Sequence, residues 1–151
     1  MAIKKVAVLG AGTMGSQIAA HLANASIPCL LYDLPGLAAA GVDRLKKMDP
    51  APLFDPALVS LIEPLEFGTD FQKLKQADWI IEAIVENLDN KKELLRAIQP
   101  HLRTDAIVTS NTSGIPLSVI AADTCWSGVP PKIWSAWQNR SRRCTSNRPI
   151  S

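Results

Sequence analysis

Histidine is scarce in this chain: its 151 residues include only His21 and His101, so candidates for an imidazole base are few. The three cysteines, Cys29, Cys125 and Cys144, are odd in number and lack metal-ligand spacing. Neither a metal site nor a disulfide framework is expected, and reduced thiols follow. No apolar run reaches the length that crosses a bilayer, and Met1 to Lys5 leads straight into a strand pattern without a signal-peptide cleavage site. The expected location is the cytoplasm, with no membrane partner. Acids are missing after Asp123. Residues 124–151 hold five of the 16 basic residues (Lys132, Arg140, Arg142, Arg143 and Arg148) and none of the 14 acids. The net charge of +2 therefore conceals a body, residues 1–123, with 11 bases against 14 acids and a net charge of −3. The basic tail has neither helical nor strand periodicity, which argues against a nucleic-acid partner.

What is present is a hydrophobic content of 47%, enough for the core of one domain, and a glycine pattern. Gly10-Ala11-Gly12-Thr13-Met14-Gly15 follows the apolar run Val6 to Leu9 and opens a helical stretch, and Asp33 closes the next apolar run. Strand, tight turn, helix, strand and carboxylate in this order form a dinucleotide-binding fingerprint. Gly10 permits the turn at the strand end. Gly12 leaves room for a pyrophosphate, and Gly15 lets helix and strand approach. The helix N-terminal amides, unpaired within the helix, attract phosphate. Asp33, 18 residues past Gly15, can accept from both adenosine ribose hydroxyls and would repel a 2′-phosphate. Its neighbours Leu34 and Pro35 offer no arginine, so NAD is expected rather than NADP. The alternative for Asp33 is an ordinary strand-end turn.

Periodicity predicts strands at Ile3 to Leu9, Ile27 to Tyr32, Leu65 to Phe67, Trp79 to Ile84 and Ala106 to Ser110. Helices are predicted at Thr13 to Ala25, with Met14, Ile18, Leu22 and Ala25 on one face, and at Gly36 to Met48. A short helix from Pro56, a helical turn from Phe71 to Lys75, a helix Asp89 to Ile98 capped by Asp89, and a helix from Pro116 to Ala122 complete the pattern. Alternating strands and helices imply an α/β fold of Rossmann type, a doubly wound, mainly parallel sheet with helices on both faces. In such sheets ligands bind outside the carboxyl ends of the strands. Asp33, Glu82 to Asn87 and Ser110 to Ser113 should therefore converge with the glycine loop on one crevice. On residue chemistry alone Ser110 to Ser113 also reads as a capped turn, Glu86 as a helix-start acid and Lys91 as a solvated helix lysine.

The segments Glu82-Ala83-Ile84-Val85-Glu86-Asn87 with Lys91, and Ser110-Asn111-Thr112-Ser113, together with Gly10 to Gly15, resemble the NAD-binding domain of the 3-hydroxyacyl-CoA dehydrogenases. The resemblance covers roughly residues 3–122. Pro50-Ala51-Pro52 is similar to members fused to an enoyl-CoA hydratase-like module. The resemblance implies an NAD-dependent oxidoreductase that converts 3-hydroxyacyl-CoA to 3-oxoacyl-CoA in fatty-acid β-oxidation. It implies cofactor contacts from Gly10, Ala11, Gly12, Thr13, Met14, Gly15, Asp33, Glu86, Lys91 and Ser113. By the same resemblance Ser113 would lie between cofactor and substrate hydroxyl, a place that suits a group able both to donate and to accept. An acyl-CoA substrate and a homo-oligomer are the implied partners.

The family pattern stops after about residue 122. In the family a further strand bears Gly-x-His-Phe-Phe-Asn-Pro, whose histidine is the general base, a later glutamate orients it, and a helical domain completes the acyl site. Here the corresponding place reads Trp134-Ser135-Ala136-Trp137. His21 and His101 read as ordinary surface residues, since neither lies on a segment that reaches the crevice. Residues 1–122 are therefore expected to form the NAD-binding domain, with 123–151 a poorly ordered tail outside the family pattern. The tail crowds three of the four tryptophans and two of the three cysteines without periodicity, as a frameshift beginning near Asp123 would produce. With suitable codons, Lys132 to Trp137 read one base later gives Arg-Phe-Gly-Ala-His; a genuine divergent tail is the alternative. The chain alone is expected to bind NAD weakly or not at all, to lack turnover, and to expose a sheet edge that lowers solubility. Two other functions remain open. One is a nucleotide-binding stub or regulatory module without turnover; the other is a fragment of a 3-hydroxyisobutyrate or 6-phosphogluconate type dehydrogenase.

Overall fold

The computed structural model describes residues 2–121 and 132–133. Its strands are β1 (Val6–Leu9), β2 (Cys29–Asp33), β3 (Ile62–Glu66), β4 (Trp79–Glu82), β5 (Ile107–Ser110) and β6 (Lys132–Ile133). All are parallel, in the order β3-β2-β1-β4-β5-β6. The helices are α1 (Thr13–Asn24), α2 (Leu37–Lys47), α3 (Leu88–Ile98) and α4 (Leu117–Ala121), and 3-10 turns occupy Pro56–Leu61, Phe71–Gln76 and Gln99–His101. The expected doubly wound α/β fold is present. Chain order reverses beside β1, where β2 leaves on one side and β4 on the other, and this opens a crevice at the strand carboxyl ends.

The sheet divides the core in two because successive side chains alternate in face. Val6, Val8, Cys29, Leu31 and Ile81 pack with α1 and α2. Ala7, Leu9, Leu30, Tyr32, Ile80 and Val108 pack with α3 and the Phe71–Gln76 turn. Central β1 is buried along its whole length, which is why it reads as an unbroken apolar run.

Several boundaries differ from the sequence pattern for identifiable reasons. β1 begins at Val6 rather than Ile3 because the amides of Lys4 and Lys5 donate to the Asp78 carboxylate, at 2.8 and 3.1 Å, instead of joining the ladder. β4 stops at Glu82, which frees Ala83 to Asn87 as a loop over the crevice. β3 lies earlier than expected and includes Pro64, which a sheet edge tolerates because that edge needs no donor. The cap of α3 is Asn87, whose side chain accepts from the Asn90 amide at 3.0 Å; Asp89 sits within the first turn. Of the predicted face of α1, Leu22 is buried and Ile18 packs against the core, whereas Met14 and Ala25 are exposed. Gly15, Ala19 and Ala23 bring the helix close to the sheet. His21 is exposed as expected, whereas half-buried His101 packs against Phe71 with ring centroids 5.6 Å apart.

Lys132–Ile133 pairs with Ile107 and Val108, so the edge of β5 that was expected to be open is covered over that length. The remainder of the expected tail, 123–131 and 134–151, lies outside the described residues.

Candidate functional site

Two structures flank the switch point at the carboxyl ends of β1 and β4. The first is the glycine loop. Gly10 has φ +107°, and a Cβ there would stand 2.6 Å from the Ala83 carbonyl oxygen, so both backbone conformation and the neighbouring loop require glycine. A Cβ on Gly15 would collide with the Gly10 carbonyl oxygen. Gly12 differs: nothing lies within 4 Å of a Cβ placed there. Folding does not demand glycine at that position, and the open space at the start of α1 is where a phosphate would approach the backbone.

Asp33 ends β2 beside this loop. Its Oδ2 accepts from the Ala11 amide at 2.6 Å and its Oδ1 from the Leu34 amide at 2.7 Å. From the other side, α2 braces the loop. Arg44 Nη2 donates to the Ala11 carbonyl at 2.7 Å and to Ser16 Oγ at 3.2 Å, and Ser16 Oγ donates to the same carbonyl at 2.8 Å. Gly41 makes room, since a Cβ there would lie 2.9 Å from that carbonyl oxygen. Ser16, Gly41 and Arg44 escaped the sequence reading because a basic residue near a helix end carries no signal of a distant loop.

The second structure is a chain of charges. Glu82 and Lys91 have fully buried side chains, and Lys91 Nζ stands 2.7 Å from Glu82 Oε1. The ammonium also faces the Ile84 carbonyl at 3.3 Å and Glu86 Oε2 at 3.4 Å. Lys91 is thus a buried ion-pair partner and not a solvated helix lysine. Glu86 grips the turn after β5: its Oε1 accepts from Thr112 Oγ1 and from the Gly114 amide at 3.1 Å. These hydrogen bonds, the Thr112 hydroxyl's first, hold the Glu86 carboxyl below the usual carboxylate range, with Lys91 adding to the effect. Thr112 Oγ1 in turn accepts from the Ile115 amide at 3.2 Å, leaving Ser113 exposed between two anchored neighbours.

The predicted segments therefore converge. Asp33 and Gly10 to Gly15 meet directly, and Glu86, Lys91 and the Ser113 turn form a separate group linked to them where Gly10 touches Ala83. Glu82, which opens one of the predicted segments but is not among the predicted cofactor contacts, is the hub of that second group. Its signal was an acid closing an otherwise apolar run, Trp79 to Ala83, a setting in which a charge must be paired. Among the described residues no group of three or more His, Cys, Asp or Glu could hold a metal ion, and no helix is long and apolar enough to cross a membrane.

Comparison with known proteins places this geometry. The family model for the 3-hydroxyacyl-CoA dehydrogenase NAD-binding domain matches residues 5–127. A probable 3-hydroxyacyl-CoA dehydrogenase of Deinococcus radiodurans is 48% identical over 125 residues, covering 78% of this chain and 36% of that protein. A putative fatty acid oxidation complex trifunctional enzyme of Rickettsia felis is 39% identical over 123 residues, 76% of this chain and 17% of that protein. Among solved structures, FadB2 of M. tuberculosis superposes with a TM-score of 0.72 at 31% identity, over 83% of this chain and 47% of that one. The chain thus spans about a third or less of the length of these curated relatives. The glycine loop, the carboxylate after β2 and the matched span agree: the chain belongs to the family of NAD-binding domains of 3-hydroxyacyl-CoA dehydrogenases, and NAD is its cofactor.

Proposed function

We propose that this chain is the cofactor-holding part of an enzyme that oxidises the 3-hydroxyl of an acyl-CoA in fatty-acid β-oxidation. The observation that carries this reading is the reach of Glu86 from the loop after β4 to the turn after β5, which holds Ser113 at the crevice that the glycine loop also borders.

The residues fit NAD. The space at Gly12 admits the pyrophosphate to the free amides of α1, with Ala11, Thr13 and Met14 completing the loop. Asp33 would accept from the adenosine ribose, and exposed Leu34 and Val85, which follow β2 and β4, offer apolar cover for the adenine. Glu86, which faces the crevice, and Lys91 behind it would hold the nicotinamide-side ribose. NAD, when bound, supplies the acceptor for the hydrogen and electron pair leaving the carbinol carbon. The Ser113 hydroxyl orients the substrate hydroxyl by donating to one partner and accepting from another.

The substrate proton needs a base within hydrogen-bond reach. His21 lies eight residues into α1, about 12 Å along the axis from its start. His101 lies beyond the far end of α3 against Phe71. Among the described residues the crevice therefore holds cofactor contacts and an orienting hydroxyl but no histidine base. We place the work in the cytoplasm, in keeping with the odd, scattered cysteines of the sequence.

Calorimetric titration of the full chain with NAD, paired with an acyl-CoA oxidation assay, tests the reading. Weak saturable binding without turnover is expected, and Asp33→Ala should weaken it roughly tenfold or more. Absence of NAD binding, or an affinity indifferent to Asp33, would overturn it.

A further inference from the structure

Glu82 is a buried acid for which the proposed reaction has no direct use, yet its carboxylate collects partners from three segments. Oε1 accepts from Lys91 Nζ at 2.7 Å and from the Ile84 amide at 2.8 Å. Oε2 accepts from Ser110 Oγ, and the backbone carbonyl accepts from the Asn111 amide at 2.7 Å. The start of α3, the loop after β4 and the end of β5 are thereby tied to one side chain. Through Lys91 the tie reaches Glu86, and through Glu86 it reaches Thr112 and Gly114.

Packing alone does not account for this arrangement. Desolvating an ion pair costs several kcal/mol per ion, and apolar side chains of similar volume usually fill such a space at no loss of stability. What apolar groups would not supply is direction. Lys91 lies between two carboxylates, one buried and one facing the crevice, and Ser110 opens the segment that leads to Ser113. The bonds of the glycine loop, from Asp33, Arg44 and Ser16, involve none of these groups.

We propose that Glu82 is a positioning residue for the nicotinamide side of the cofactor. It holds Lys91, Glu86 and the Ser113 turn in their binding arrangement and leaves the adenosine side independent. This rests on the cofactor reading above. With Glu82→Gln the hydrogen-bonding shape persists, but among the described residues Lys91 is left with Glu86 as its only counter-charge, which draws Glu86 inward and loosens Thr112 and Gly114.

The experiment is calorimetric titration of the full chain with two ligands, NAD and ADP, the second carrying only the adenosine and pyrophosphate. Glu82→Gln should weaken NAD about tenfold while ADP stays within about twofold of wild type. Ser110→Ala, which keeps the ion pair, should weaken NAD about threefold with ADP again unchanged, and it carries the test if Glu82→Gln fails to fold. Equal losses for both ligands, or NAD affinity unmoved, would overturn the positioning role while leaving wild-type binding, and so the cofactor reading, intact. A wild-type chain that binds neither ligand would overturn the cofactor reading and this proposal with it.

Discussion

The glycine loop and the charge chain beyond it lie on neighbouring strands, yet they are held by opposite means. Around Gly10 to Gly15 the determinants are steric and backbone-based. One residue has a positive φ, another lacks room for a methyl group, and carboxylate, hydroxyl and guanidinium groups bond to main-chain atoms of Ala11. Around Glu82, Lys91 and Glu86 the determinants are side-chain charges that lose their meaning singly. The first region tolerates change where space is open and nowhere else; the second depends on every member keeping its partner. A dinucleotide laid across both would meet a preformed cradle at one end and an electrostatically assembled clamp at the other.

The largest effect should come from breaking the clamp. Lys91→Met leaves the buried Glu82 carboxylate without its counter-charge, and unfolding in urea should show a loss of about 3–5 kcal/mol. If stability falls by less than half of that, the pair is not the keystone its burial indicates. Next come two glycine changes that separate folding from binding. Gly15→Ala drives a methyl group into the Gly10 carbonyl and should cost about 1–3 kcal/mol in the same measurement, along with NAD affinity. Gly12→Ala meets nothing, so its stability should stay within about 0.5 kcal/mol of wild type while NAD affinity falls. A stability loss at Gly12 matching that at Gly15 would erase the distinction between a glycine needed by the fold and one needed by the ligand.

The smallest effect is a pH response confined to the clamp. The Glu86 carboxyl titrates below its ordinary value, chiefly because Thr112 and Gly114 donate to it. A depressed acid contributes its stabilisation in full above its unfolded value and loses it as pH falls through the folded value. The Gly114 amide resonance should therefore hold steady from neutrality down through the ordinary glutamate range and shift only below it. The Gly12 amide, which has no such partner, should not follow that titration. Movement of Gly114 at higher pH would show that Glu86 is not gripping the turn.

The contrast also explains what could be read from the sequence. Gly10, Gly12, Gly15 and Asp33 carry their meaning locally, in spacing and in the flanking apolar runs, and the structure has them where that pattern implies. The parallel sheet followed from the same alternation. Lys91 could not be read in this way. It is flanked by Asp89, Asn90, Lys92 and Glu93, a setting typical of a solvated helix face, and only the end of β4 beneath it makes the site buried. Arg44 is likewise ordinary in its helix and meets Ala11 only through tertiary packing. On α1 the apolar spacing favoured Met14, but close approach to the sheet selected the small residues Gly15, Ala19 and Ala23 instead. The α3 cap shifted from Asp89 to Asn87 because β4 ended early and left Asn87 extended.

The most direct measurement is a map of backbone amide shifts as NAD is added to the full chain. The account predicts two separated groups of responding amides, Ala11 to Thr13 with Leu34 on one side and Glu86 with Ser113 and Gly114 on the other. Residues at the opposite, amino ends of the central strands, such as Lys4, Lys5 and Asp78, should stay silent. Responses confined to the glycine loop would contradict a crevice spanning both regions, and responses absent from that loop would contradict the assignment of the cofactor site itself.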